Sequence, residues 1–226
     1  MTMRKSMVAV VLPLLLAATG CDSGDGNQQD DRAGETCTTL LGKAGETWVK
    51  ESSAQETGRA DTGDLPSAKE RFYQDARSWS AGDEQAVRLF SRTEVCRVVL
   101  RQQKPHTSRL SLAYGASSFP FDSPFGEKNS VEVPETLVPV NSDVKLVTRR
   151  LNGSMAYSVY VKCRVPGAPV GQEEGVPLEG SLTDTLVAGA GRLEHLTYLL
   201  HSARVVADAF GCRNDPVVPE APPEST

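Results

Sequence analysis

Residues 144–165 read VKLVTRRLNGSMAYSVYVKCRV, and they decide the fold. Asn152-Gly153 is a favoured pair for a two-residue hairpin turn, because both central positions need positive φ. Folding there sets Leu151 against Ser154, Leu146 against Val159 and Val144 against Val161. One face then carries Met155, Tyr157, Val159, Val161, Cys163 and Val165. The other carries Lys145, Arg149, Ser158, Tyr160 and Lys162. Turn chemistry and side-chain alternation agree on one register, and a slip of one residue would turn the apolar set outward.

Working outward, Thr93–Gln102 and Ser108–Tyr114 alternate in the same way. Pairing 102 with 108 sets Leu100 against Leu110, Val98 against Leu112 and Cys96 against Tyr114, around a turn at Gln103–Thr107. A further strand is expected at Ser181–Val187. Three helices complete the pattern. Thr39–Lys50 is a short one, weakened by Gly42 and Gly45. Pro66 to about Trp79 is a second, with Pro in the first turn and Phe72, Ala76 and Trp79 on one face; residues 51–64 before it read as loop. Arg192–Phe210 is the third, with a stripe of Leu193, Leu196, Leu199, Leu200, Ala203, Val206, Ala207 and Phe210 and Gly211 just past its end. The fold class is therefore α+β: an antiparallel sheet of hairpins packed by N-terminal helices and a C-terminal amphipathic helix.

Five cysteines are present: Cys21, Cys37, Cys96, Cys163 and Cys212. The last four allow three pairings. Cys163 is a core-facing strand residue and Cys212 ends the helix that must cover that sheet, so these two are expected to bond. By the same logic Cys37, at the start of the first helix, is expected to bond Cys96 on the first hairpin. Each bridge closes a loop of roughly 50–60 residues, worth about 4 kcal/mol on the chain-entropy model. Zinc is a poor alternative, because no C-x-x-C knuckle or metal-spaced His accompanies them.

The chain opens MTMRKS, then runs Met7–Ala18 without a charge. That run is shorter than the roughly 20 apolar residues a membrane span needs. A basic start, a short apolar stretch and small residues before a cut describe a secretory signal peptide at residues 1–20. Ala18-Thr19-Gly20-Cys21 resembles the lipobox of bacterial lipoproteins, in which the cysteine receives a diacylglycerol group and fatty acid such as palmitate and becomes the first mature residue. An ordinary signal peptide, with Cys21 a plain thiol, is the alternative reading. Residues 21–36 follow as the lipidated Cys and a polar, acidic tether expected to be disordered. Residues 37–212 form the extracytoplasmic domain. Residues 213–226, RNDPVVPEAPPEST, read as a disordered Pro-rich tail.

The lipobox, the acidic tether, YVKCRVPG (residues 160–167) and ARVVADAFGC (residues 203–212) together resemble the uncharacterised secreted lipoproteins of actinobacteria. The resemblance implies a cell-membrane location on the extracytoplasmic face and the two disulfides. It implies no chemistry.

Removing residues 1–20 takes away Arg4 and Lys5 and no acid, moving the net charge from −5 to −7. Nucleic acid is an unexpected partner for such a chain; the expected partners are the membrane, through the anchor, and an envelope protein or ligand. No cofactor, metal or catalytic residue is assigned. Ser142-Asp143-Val144-Lys145 matches S-x-x-K, but at a strand start, where Ser and Lys do not share a helix face. His195 and His201 are expected on the rim of the last helix, about 120° apart around its axis, and His106 in a turn. The acidic run Asp22–Asp31 lacks calcium-loop spacing. Ser118–Gly126 carries Phe119, Phe121 and Phe125 and is either a recognition loop or a cover for a sheet edge, with the cover the better reading. The expected function is a non-enzymatic binding or accessory lipoprotein; a cell-envelope hydrolase is the alternative.

Overall fold

The computed structural model describes residues 26–53, 56–60, 63–81, 89–100, 108–123, 135–151, 154–186 and 191–224. The Asn152-Gly153 and Gln103–Thr107 turns, His106, Phe125, Cys21 and residues 1–20 lie outside them.

The elements, in order, are α1 (Gly26–Ser53), β1 (Thr57–Ala60), α2 (Leu65–Arg77), β2 (Thr93–Leu100), β3 (Arg109–Ala116), β4 (Glu135–Pro139), β5 (Val144–Leu151), β6 (Ser154–Val161), α3 (Gln172–Gly175), β7 (Leu178–Asp184) and α4 (Arg192–Phe210). Seven strands form one sheet in the order β1-β2-β3-β7-β6-β5-β4, and every pair is antiparallel. α1, α2 and α4 pack on one face. The architecture is α+β, as the alternation implied.

β5 and β6 pair in the expected register from Val144↔Val161 to Leu151↔Ser154. The first hairpin is corrected by two residues: Val98 lies opposite Leu110 and Cys96 opposite Leu112, with a bulge between Glu94 and Cys96. An even slip keeps every side chain on its face, so the apolar pattern cannot distinguish the two registers. β7 lies three residues earlier than expected and includes Gly180. The Tyr114 ring occupies the space above that glycine, where a Cβ would lie 2.3 Å from Tyr114 Cε1. β1 and β4 are edge strands that the pattern did not announce. Both are short, and β4 ends on Pro139, which is tolerated at an edge.

Pro66 sits in the first turn of α2 as expected, and Asp64, unannounced, caps the helix, its Oδ1 accepting from Ser67 N at 2.6 Å; α2 ends at Arg77, two residues short of the expected Trp79. α1 is longer than expected. Helical backbone extends back to Gly26, across most of the expected tether, and no proline interrupts residues 26–53. Gly42 breaks its regularity at φ 65°, ψ 170°, a backbone position that favours glycine. α4 matches its expected bounds, and Gly211 ends it at φ 67°. Leu193 departs from the expected stripe and is 56 % exposed.

The core lies between helices and sheet. Leu40, Phe72, Leu110, Leu112, Tyr114, Leu146, Val159, Leu178, Leu196 and Phe210 are fully buried there. Phe72 stacks on Phe210. Tyr114 Oη contacts Ser202 Oγ at 2.5 Å. Ser202 donates its own proton to Leu199 O, so the phenol is the donor to Ser202.

Both expected disulfides are present, Cys37–Cys96 and Cys163–Cys212. They fasten α1 to β2, and the end of α4 to the segment after β6. The tail corrects its expectation of disorder. Asn214 Oδ1 accepts from Arg164 N and its Nδ2 donates to Lys162 O. Val217 N donates to Asp143 Oδ2, Val217 O accepts from Asn141 Nδ2, and Val218 is buried. Proline-rich chain loses little backbone freedom on docking, so these few bonds suffice to hold it.

Candidate functional site

The strands run between two ends. The upper end holds the Leu151↔Ser154 pair of β5 and β6 and the start of α4. The lower end holds the end of α4, the Cys163–Cys212 bridge and the tail.

At the upper end, the rim position expected for His195 is corrected: it is 3 % exposed. Its Nε2 lies 2.7 Å from Asp184 Oδ2, and its Nδ1 lies 2.8 Å from Gly191 O. A carbonyl only accepts, so Nδ1 carries a hydrogen, and one proton lies between Nε2 and the Asp184 carboxyl. Asp184 Oδ1 accepts from Leu186 N. With both ring nitrogens engaged, His195 has none to offer a nucleophile. Periodicity alone placed this residue near the rim; the polar partner at the end of β7 holds it inside.

The imidazole lies within a chain of rings. It stacks on Tyr157 at 4.6 Å and meets the edge of Trp48 at 5.1 Å, and Trp48 stacks on Tyr198 at 4.8 Å. Tyr198 and Trp48 form the wall of a shallow, open groove of about 510 Å³ between α1 and α4. Lys43, Ala44, Thr47 and Glu51 complete its lining. Gly45 permits the close approach of the helices, since a Cβ there would lie 3.0 Å from Tyr198 Cδ1. Burial, then the negative charges of Glu194 and Glu51, push the Tyr198 phenol up. The groove therefore offers a neutral phenol, an ammonium and a carboxylate beside an aromatic surface. Sequence pattern missed it, because Trp48 and Tyr198 are 150 positions apart and each reads as ordinary helix packing.

The expected recognition loop lies elsewhere. Phe121 is 2 % exposed and packs with Val147 and Tyr160 on the sheet face opposite the helices. The loop thus covers a sheet face rather than an edge. Lys145 Nζ donates to Phe121 O at 2.8 Å and lies 4.3 Å from the ring centre, with Lys162 Nζ at 4.6 Å. Phe119 is half-buried. Beside this cluster Glu179 is buried and pairs with Arg92 at 2.6 Å. Burial first, and then the Glu179 charge, hold the Tyr160 phenol well above its ordinary value.

Ser142 Oγ donates to Asp143 Oδ1, whereas the Lys145 ammonium is engaged by Phe121 and Asp122. The S-x-x-K residues are therefore committed to different neighbours. His201 sits against Gly42 and 3.4 Å from Arg204 Nη2. At the lower end the Arg164 guanidinium hydrogen-bonds Glu173 and holds its carboxyl below the ordinary range. Among the described residues, no group of three His, Cys, Asp or Glu could hold a metal ion, and no helix is long and apolar enough to cross a membrane. No known family model, curated protein or solved structure matches the chain.

Proposed function

We propose that this chain is a cell-envelope lipoprotein, anchored on the extracytoplasmic face by acylated Cys21, and that its domain binds a partner or ligand through the Trp48–Tyr198 groove. One observation carries the anchoring reading: Cys37, Cys96, Cys163 and Cys212 are all consumed in two disulfides, which leaves Cys21 as the one cysteine free for another chemistry. Paired cysteines also suit an oxidising compartment outside the cytoplasm. The binding reading draws on the groove, where aromatic surface, ammonium, carboxylate and hydroxyl groups converge without a free imidazole. Such a lining suits a polar ligand or polar chain segment.

Intact-mass measurement on protein from its native envelope tests the anchor. The expected mass is that of a chain starting at Cys21 plus acyl groups; a start elsewhere, or an unmodified Cys21, refutes it. Photo-crosslinking from position 47 tests the groove. A discrete adduct formed in the native envelope, and lost with Tyr198→Ala, supports the reading. An adduct pattern identical to that from position 181, on the opposite sheet face, removes it.

A further inference from the structure

We infer that residues 216–223 form an exchangeable strap, and that two copies of this chain pair by each laying its strap in the other's cleft between the β4–β5 turn and α4.

The cleft is defined by what already lies in it. Val217 N donates to Asp143 Oδ2 at 3.3 Å, and Val217 O accepts from Asn141 Nδ2 at 2.7 Å. Glu220 Oε1 then meets Arg204 Nη1 of α4 at 3.1 Å. From 217 to 220 the chain crosses from the sheet to α4 in one extended step of about 10 Å. α4 itself packs over β6 and β7, and the strap fills in at the β4–β5 end. Val218 and Val138 are each 8 % exposed in the main core cluster, and Pro222 is buried as well. Prolines at 216, 219, 222 and 223 keep the strap extended before it docks, which reduces the entropy it loses there. Glu220 is 86 % exposed, so its pair with Arg204 sets alignment and adds little affinity. The main-chain bonds of Val217 and the buried Val218 and Pro222 therefore carry the contact.

Nothing in these contacts requires strap and cleft to belong to one chain, and the hinge favours two. Arg213 and Asn214 are fixed to residues 162–164 beside the Cys163–Cys212 bridge, and Asp215 N closes a turn onto Cys212 O. Asp215 and Pro216 alone separate Asn214 from Val217. To turn the strap into its own cleft, Asp215 takes φ 46°, and among the described residues it is the one non-glycine with positive φ. That conformation is disfavoured for a residue with a Cβ, and a short, strained hinge favours exchange between copies. Reaching across to a second copy relaxes both hinges and keeps the same cleft contacts. Reciprocal exchange closes on a two-fold axis, so it stops at a dimer.

The test uses the chain from Cys21 onward, with the Cys21 thiol capped by iodoacetamide so that no intermolecular disulfide forms. One sample carries a benzophenone amino acid in place of Val217, whose side chain is 66 % exposed. The other is unsubstituted and labelled with heavy nitrogen. The two are mixed under native conditions and irradiated, and crosslinked peptides are read by mass spectrometry. The light strap is expected to join heavy peptides spanning residues 138–145, in step with a dimer in sedimentation velocity. Asp215→Val, which tolerates positive φ less well, is expected to raise the dimerisation constant by about five-fold per hinge, and Asp215→Gly to lower it. Val218→Asp is expected to abolish the dimer while near-ultraviolet circular dichroism shows the fold retained. Asp215 is exposed, so the hinge pair carries the test even if that third variant unfolds. Crosslinks confined to the light chain, a dimer that survives Val218→Asp, or a dimerisation constant indifferent to residue 215 overturns the exchange.

Discussion

His195 Nε2 and Asp184 Oδ2 are 2.7 Å apart with both side chains 4 % exposed, and they fasten the first turn of α4 to the end of β7. Removing one partner leaves the other buried without it, and breaking such a pair costs roughly 3–5 kcal/mol. Asp184→Ala is therefore expected to lower the urea midpoint with little change in slope, corresponding to about 3 kcal/mol or more. Adding His195→Leu should recover part of that loss, because the stranded imidazole disappears with its partner. A loss under about 1 kcal/mol for the single variant would mean that water replaces the carboxylate at this site.

Phe121→Ser tests whether the Phe-rich loop stabilises or recognises. The ring fills the space between Val147, Tyr160 and two lysine side chains. Deleting a buried aromatic ring costs about 3 kcal/mol or more. A marked fall in melting temperature is expected. If thermal stability holds while crosslinking in the envelope is lost, the loop is a contact surface after all.

The Cys163–Cys212 bridge closes a separation of 49 residues, worth about 4 kcal/mol by chain entropy. The double variant to Ala should lose stability of that order in denaturant titrations. It should also release the tail, whose bonds through Asn214 and Arg213 meet residues 162–164 next to the bridge. Proteolysis should then cut within residues 213–224 before the domain unfolds; a tail that stays protected would show that Asn141 and Asp143 hold it unaided.

Much of this fold was legible because independent signals coincided. Asn152-Gly153 and the alternation on either side fixed one register, and Gly211 marked the end of α4 where the apolar stripe also stopped. The disulfides followed from the same placement, since core-facing Cys163 had to meet the helix covering it. The failures share another cause. The two-residue slip of β2 against β3 leaves faces unchanged, so it is silent in the pattern. Gly180 hid the start of the central strand β7, which was expected only from Ser181, because its role is to admit Tyr114 from a neighbouring strand. His195 read as a rim residue because its partner Asp184 is on β7, and the Trp48–Tyr198 wall joins opposite ends of the sequence. A tertiary contact of that kind leaves no local periodicity.

Alkaline titration offers a direct reading of the core. Burial raises the phenols of Tyr114 and Tyr160 well above their ordinary value of 10.0, and the charge of Glu179 adds to the effect at Tyr160. In the unfolded chain both lose their protons near pH 10, while in the folded chain they keep them. Their stabilising contribution is thus fully present below pH 10 and is lost as pH rises through the raised folded values. Each such tyrosine lowers stability by up to about 1.4 kcal/mol per pH unit above 10. Phenolate absorbance should therefore lag in the folded protein, then rise cooperatively together with loss of near-ultraviolet circular dichroism. Tyr160→Phe should reduce the size of that cooperative step by one phenolate. Full phenolate absorbance reached before the protein unfolds would mean that solvent enters between the sheet and its covering elements.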